Sequence, residues 1–124
     1  MARVLALVPD LLFGSQVQGM LVAAGDEVEL VGDEHRLRER LGDTDAPAIA
    51  VLVVDLTTDA LDGPVLVQAL SSKGALAQTR TLGFYAHVDV SVRERAEEAG
   101  FDLVVPRSRM AREGAQLVAG LISS

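Results

Sequence analysis

Short apolar runs alternate with stretches of helical spacing along the whole chain. The runs are Val4–Val8, Val28–Val31, Ile49–Val54, Leu82–Ala86 and Leu103–Val105. Each is aliphatic or β-branched and too short for a stable helix, as strands buried on both faces should be. Between the first two, Phe13, Val17, Met20, Leu21 and Ala24 draw one apolar stripe at helical spacing, and Gly25 follows at a C-cap position. Asp33 is placed to cap a second helix carrying Leu37 and Leu41 and ending at Gly42. Asp62-Gly63-Pro64 opens a third, with Val65, Leu66, Ala69 and Leu70 as its apolar face. Ser91 and Glu94 fit a capping box for a fourth helix ending near Gly100, and Leu117, Val118, Leu121 and Ile122 mark a last one. The polar stretch Ser71–Thr79, which holds Gly74, is expected to be the most mobile.

Five repeats of strand then helix predict parallel strands with helices on both faces. The length, 124 residues, suits one domain over 1–124, which buries roughly two-thirds of its unfolded surface. With three Phe, one Tyr and no Trp, the core must be aliphatic. There is no Cys, so disulfides and thiolate metal sites are excluded. The N-terminal apolar run is broken at Pro9-Asp10, too soon for a signal peptide or a membrane span, so a cytoplasmic protein is expected. A net charge of −7 disfavours contact with nucleic acid. The arginines at 36, 38 and 40, and at 107, 109 and 112, read as solvated helix residues.

Ligands of an open parallel sheet sit beyond the carboxyl ends of the strands. The residues there are Pro9 and Asp10, Asp55, Tyr85 to His87, and Pro106 to Ser108. Asp55-Leu-Thr-Thr-Asp-Ala-Leu-Asp62-Gly63 resembles the Asp-Leu-x-Met-Pro-x-x-Asp-Gly segment of bacterial response-regulator receiver domains. Asp55, Leu56, Asp62 and Gly63 match, whereas Thr58 and Asp59 replace Met and Pro. Phe84-Tyr85-Ala86-His87, Ala99-Gly100-Phe101-Asp102, Leu11-Leu12-Phe13 and the Ala24-Gly25-x-x-Val28 pattern fit the same family. The resemblance implies a CheY-like, flavodoxin-like (βα)5 sandwich with strand order 2-1-3-4-5.

By that resemblance Asp55 is the phosphoacceptor position, and Mg²⁺ would use it, an acidic pair after the first strand and the carbonyl of Thr57. The acidic pair falls on Val8 and Pro9, which offer no side-chain ligand; Asp10 is adjacent and is a ligand only if the loop shifts by one residue. The conserved cation becomes Arg107, followed by Ser108 instead of Pro. The small hydroxyl on the fourth strand becomes Tyr85, and the aromatic switch partner becomes Val104. These changes predict a pseudo-receiver without regulated phosphorylation, resident metal or catalytic residue. Two arrangements remain open: Arg107 pairs permanently with Asp55, or Asp55 ends its strand in solvent with Arg107 pointing away.

Function is expected to lie in protein contact, through a partner or a homodimer. Receivers commonly use the face of the fourth helix, fifth strand and fifth helix, here Val92, Arg95, Glu98, Val104, Arg109, Arg112 and Gln116. With nothing after Ser124 in this sequence, output is expected to pass through a partner. One alternative is a working phosphoreceiver that takes a phosphoryl group from a histidine kinase onto Asp55, using Asp10, Arg107 and Mg²⁺. Another is a small-molecule binder or enzyme with an apolar pocket beside Asp55 and Tyr85. His35 and His87 read as solvated surface, and no Walker, Gly-rich dinucleotide, flavin-phosphate or cobalamin motif is present.

Overall fold

A computed structural model describes residues 2–123. The strands are β1 (Arg3–Leu7), β2 (Glu27–Val31), β3 (Val51–Asp55), β4 (Arg80–Tyr85) and β5 (Leu103–Pro106). The helices are α1 (Leu11–Ala23), α2 (Glu34–Gly42), α3 (Gly63–Ser72), α4 (Val90–Ala99) and α5 (Arg107–Ser123). All strand pairs are parallel, in the order β2-β1-β3-β4-β5. This is the flavodoxin-like arrangement that the resemblance implied, with the parallel strands expected from the alternating pattern. No helix of the described residues is long and apolar enough to cross a membrane.

Alternation along the central strands explains their unbroken hydrophobicity. Val4, Ala6 and Val8, with Val51 and Val53, face the layer of α1 and α5. Leu5 and Leu7, with Leu52 and Val54, face the layer of α2, α3 and α4. Both faces are covered, so the middles of these strands are apolar throughout. Helix α2 is anchored in the core by one fully buried residue, Leu37. Truncating such a leucine to alanine costs about 2–5 kcal/mol.

Several local expectations hold and several shift by a residue or two. Asp33 caps α2, accepting from Arg36 N at 2.8 Å. Gly25 and Gly100 adopt φ of 97° and 102° at the ends of α1 and α4, where a Cβ would be strained. Ala24, assigned from spacing to the buried stripe, lies past α1 and is exposed. In α3 Val67 points inward and Val65 outward, because the helix starts at Gly63 and its phase is set by buried Gly63 and Pro64. Helix α4 begins before the expected capping box. Asp89 accepts from Val92 N, and Ser91 Oγ donates to the Asp89 carboxylate at 3.0 Å instead of capping. Ile122 is exposed on the outer side of α5. The stretch expected to be mobile opens with the last turn of α3, and its Leu76 is buried.

One ion network ties the β2 edge to α2. Arg40 Nε donates to both Glu29 oxygens at 2.8 and 3.0 Å, and Arg40 also reaches the Pro47 carbonyl at 2.6 Å. Arg3 adds a longer bond to Glu29. The Arg40 hydrogen bond, aided by the charges of Arg40 and Arg3, holds the Glu29 carboxyl below the usual glutamate range against the opposing effect of burial. A lowered folded pKa stabilises the fold above the ordinary glutamate value, and that contribution fades as pH falls through the folded value. Urea unfolding should therefore show Glu29→Gln less stable than the parent at neutral pH, with the gap closing in acid. A gap that does not change with pH would contradict this role.

Candidate functional site

The carboxyl end of β3 carries Asp55, which is 2% exposed and the only buried carboxylate among the described residues. A buried carboxyl group needs hydrogen bonds. Both come from the residue two positions on. Thr57 N donates to Asp55 Oδ1 at 2.7 Å and Thr57 Oγ1 donates to the same oxygen at 2.6 Å. The loop turns back on itself in a short Asp-x-Thr turn. Among the described residues Asp55 has no ion-pair partner. Neither arrangement left open by the sequence is found: Asp55 is not in solvent, and Arg107 is not on it.

Arg107 opens α5 and lies across the end of β1. Its guanidinium stacks over the Phe13 ring at 4.2 Å from the centroid and pairs with Asp10 Oδ2 at 3.5 Å. Phe13 in turn packs on Phe84, with ring centroids 5.0 Å apart. The stacking uses the flat, weakly hydrated face of the guanidinium, which an ammonium lacks. Asp10 Oδ1 meanwhile caps α1, accepting from Leu12 N at 3.0 Å and Phe13 N at 3.2 Å. Both oxygens of Asp10 are thus engaged.

These residues do not fit a receiver-type Mg²⁺ site. Val8 is packed in the core, Pro9 has no donor atom, and Asp10 is held by a helix end and a cation. Asp55 and the Thr57 carbonyl would leave one carboxylate for a Mg²⁺, with the rest of its octahedral shell left to water. No group of three metal-ligating side chains is present among the described residues.

Tyr85 is buried on the α3–α4 side of the sheet, in one cluster with Leu56, Ala96 and Phe101, and half-buried Val104 and Val92 pack against that cluster. The phenol is a core residue here. A cavity of about 330 Å³ sits above β3 and β4, lined by Thr57, Thr58, Asp59, Asp62, Asp89 and Arg95 among others. Neither Asp55 nor Tyr85 lines it. A larger cavity, about 530 Å³, is at the opposite end of the sheet, against Thr81 and Asp102, which already bond to each other.

The expected interaction face divides in two. Arg95 bonds both Asp62 oxygens at 3.0 and 3.2 Å and, with Glu98, lines a cleft between α3 and α4. These two residues therefore turn toward α3 and away from α5. Arg109 and Arg112 both approach Glu113 at 3.6 Å, and Gln116 is exposed beside them. His35 pairs with Glu39 on the surface of α2, and His87 is exposed. Sequence reasoning placed Asp55, Asp10 and Arg107 at one end of the sheet but missed the side chains of Thr57 and Phe13. The Asp-x-Thr spacing was a usable signal for the first; the second needs the packing.

No family model matches the sequence, and no curated protein does. Solved structures match over nearly the full chain. A putative response regulator from Chloroflexus aurantiacus superposes with a TM-score of 0.87 at 17% identity, covering 99% of this chain and 98% of that one. A response regulator from Thermotoga maritima gives 0.83 at 17% identity, covering 100% and 99%. A structure described as an atypical orphan response regulator with a phosphorylation-independent regulatory mechanism gives 0.79 at 13% identity, covering 98% and 95%. At these identities the likeness establishes the receiver fold.

The Thr57 hydroxyl is the bond to remove. Thr57→Val should destabilise the protein by about 1–3 kcal/mol, since it strips a partner from a buried carboxylate. Thr57→Ser, which keeps the hydroxyl, should stay within about 0.5 kcal/mol of the parent. Equal losses in the two variants by chemical denaturation would mean that the hydroxyl bond contributes little.

Proposed function

We propose that this chain is a receiver-like signalling module that acts by protein contact and is not switched by phosphorylation at Asp55. One observation carries the reading: Asp55 is buried and bonded by its own loop through Thr57, while the nearest candidate ligand, Asp10, is committed to α1 and Arg107. Phosphoryl transfer depends on positioning and on cations that neutralise the moving charge. Here Arg107 is engaged with Phe13 and Asp10, and the residues present do not assemble a Mg²⁺ shell. The small hydroxyl that receivers use at the fourth strand is replaced by Tyr85, which is locked in the core. The phosphorylation-independent mechanism attributed to one similar structure is extended here to this chain.

The partner surface in this proposal is the side formed by β5 and the first half of α5. Arg109, Arg112 and Gln116 supply its exposed polar groups, and Val104 of β5, which packs toward α4, borders it. Mixed charge suits a separate protein partner of matching pattern. The module would work in the cytoplasm without a catalytic step of its own.

Intact-mass spectrometry after incubation with acetyl phosphate and Mg²⁺ tests the reading. The chain should keep its mass, as should Asp55→Asn. Gain of one phosphoryl group by the parent and not by Asp55→Asn would overturn it and restore the phosphoreceiver alternative.

A further inference from the structure

This chain has no Cys, so all its side-chain sulfur is methionine thioether. Two of its methionines, Met20 and Met110, meet at one point, the buried Gly114 of α5. Met20 reaches it from α1, and Met110 from the preceding turn of α5. A Cβ on Gly114 would lie 3.3 Å from Met20 Sδ, 3.1 Å from Met110 Cε and closer still to Met20 Cε. The glycine is therefore a notch that the Met20 thioether fills. Around it the two helices pack through Val17, Leu21, Leu117, Val118 and Leu121.

The two sulfurs differ in access. Met110 is fully buried, whereas Met20 is half-buried and follows exposed Gly19. A small oxidant reaches Met20 from solvent and Met110 only through the core. We propose that Met20 is a site of oxidation by peroxides, and that its sulfoxide opens the seam between α1 and α5. The sulfur lone pair attacks one peroxide oxygen, and an S–O bond forms as the O–O bond breaks. With hydrogen peroxide, the transferred hydroxyl passes its proton to the leaving hydroxide, which departs as water. Sulfur is oxidised by two electrons and the peroxide is reduced by two.

The added oxygen is a strong acceptor in a seam poor in donors. Leu11 to Ala23 and Gly114 to Ser123 contain no charged residue, and helical N–H groups bond within their own helix. A polar oxygen left unbonded among apolar side chains is costly. Water satisfies it only when Met20 leaves the notch, which uncovers Gly114 and the apolar side chains beside it. The N-terminal ends of the same two helices are joined by Arg107 on Phe13 and Asp10. Parting α1 from α5 slackens that contact too, so oxidation at Met20 is felt at the carboxyl end of the sheet and along the Arg109–Arg112 side. The proposal is independent of whether Asp55 accepts phosphate.

Hydrogen peroxide added to the folded chain tests it, with peptide mass mapping to separate Met20 from Met110 and Met1. Met20 should gain one oxygen atom well before Met110. The oxidised parent should melt about 5 °C lower. Its amide hydrogen exchange should quicken in α1 and α5 and stay unchanged in β3. Methionine sulfoxide reductases should restore both properties. Met20→Leu, a swap of similar volume, should fold and melt like the parent before peroxide and lose nothing after it. Met110→Leu should respond to peroxide as the parent does. Oxidation of Met110 as fast as Met20, an oxidised Met20 that leaves melting and exchange unchanged, or an equal loss in peroxide-treated Met20→Leu would overturn the proposal.

Discussion

The turn from Asp55 to Thr57 fixes the end of the sheet where function is expected. Asp55 ends the central strand, and the sheet above and below it is sealed by aliphatic side chains. A carboxyl group in that position must be bonded, and a buried group left without its partner costs about 1–3 kcal/mol. In this chain the partner is Thr57, through both its amide and its hydroxyl. The neighbouring groups have settled elsewhere. Arg107 stacks on Phe13, Asp10 splits its oxygens between α1 and Arg107, and Tyr85 goes under the sheet surface.

The same end of the sheet carries an aspartate at four of its five helix N-termini. Helix N-termini hold free N–H groups that attract phosphate. At α1, α2, α3 and α4 one or two of those groups donate to a capping aspartate: Asp10, Asp33, Asp62 and Asp89. Asp62 also holds Arg95. The carboxyl end therefore presents carboxylates where a phosphate-binding protein presents donors. The flanks differ in charge: α5 has a charged side near Arg109, and α1 carries no charged residue.

The architecture was legible because the buried strands of a parallel sheet read as continuous aliphatic runs, and Gly25, Gly100 and Asp33 mark helix ends by local chemistry. Boundaries set by competing caps were less legible: Ser91 and Asp89 both suit an N-cap, and only the turn before α4 decides for Asp89. The phase of α3 was misjudged at Val65 and Val67 because two valines flanking Leu66 fit either face. At the site, residue types identified Asp55, Asp10 and Arg107 as neighbours. They did not reveal that Arg107 would choose an aromatic ring and Asp10 over Asp55. That choice depends on the position of Phe13 in the fold, which no spacing rule encodes. Arg95 and Glu98 were assigned to the wrong side of α4 for a similar reason, since only the packing of Ala96 sets the rotation of that helix.

The central claim is that the Asp55 oxygen is already occupied from within the chain. Titrating Mg²⁺ while following the Thr57 amide by NMR addresses it directly, since that N–H is bonded to Asp55 Oδ1 and reports a change at the carboxylate. The account predicts a Thr57 resonance that stays in place through millimolar Mg²⁺. A saturable shift centred on Thr57 and Asp55 would contradict it.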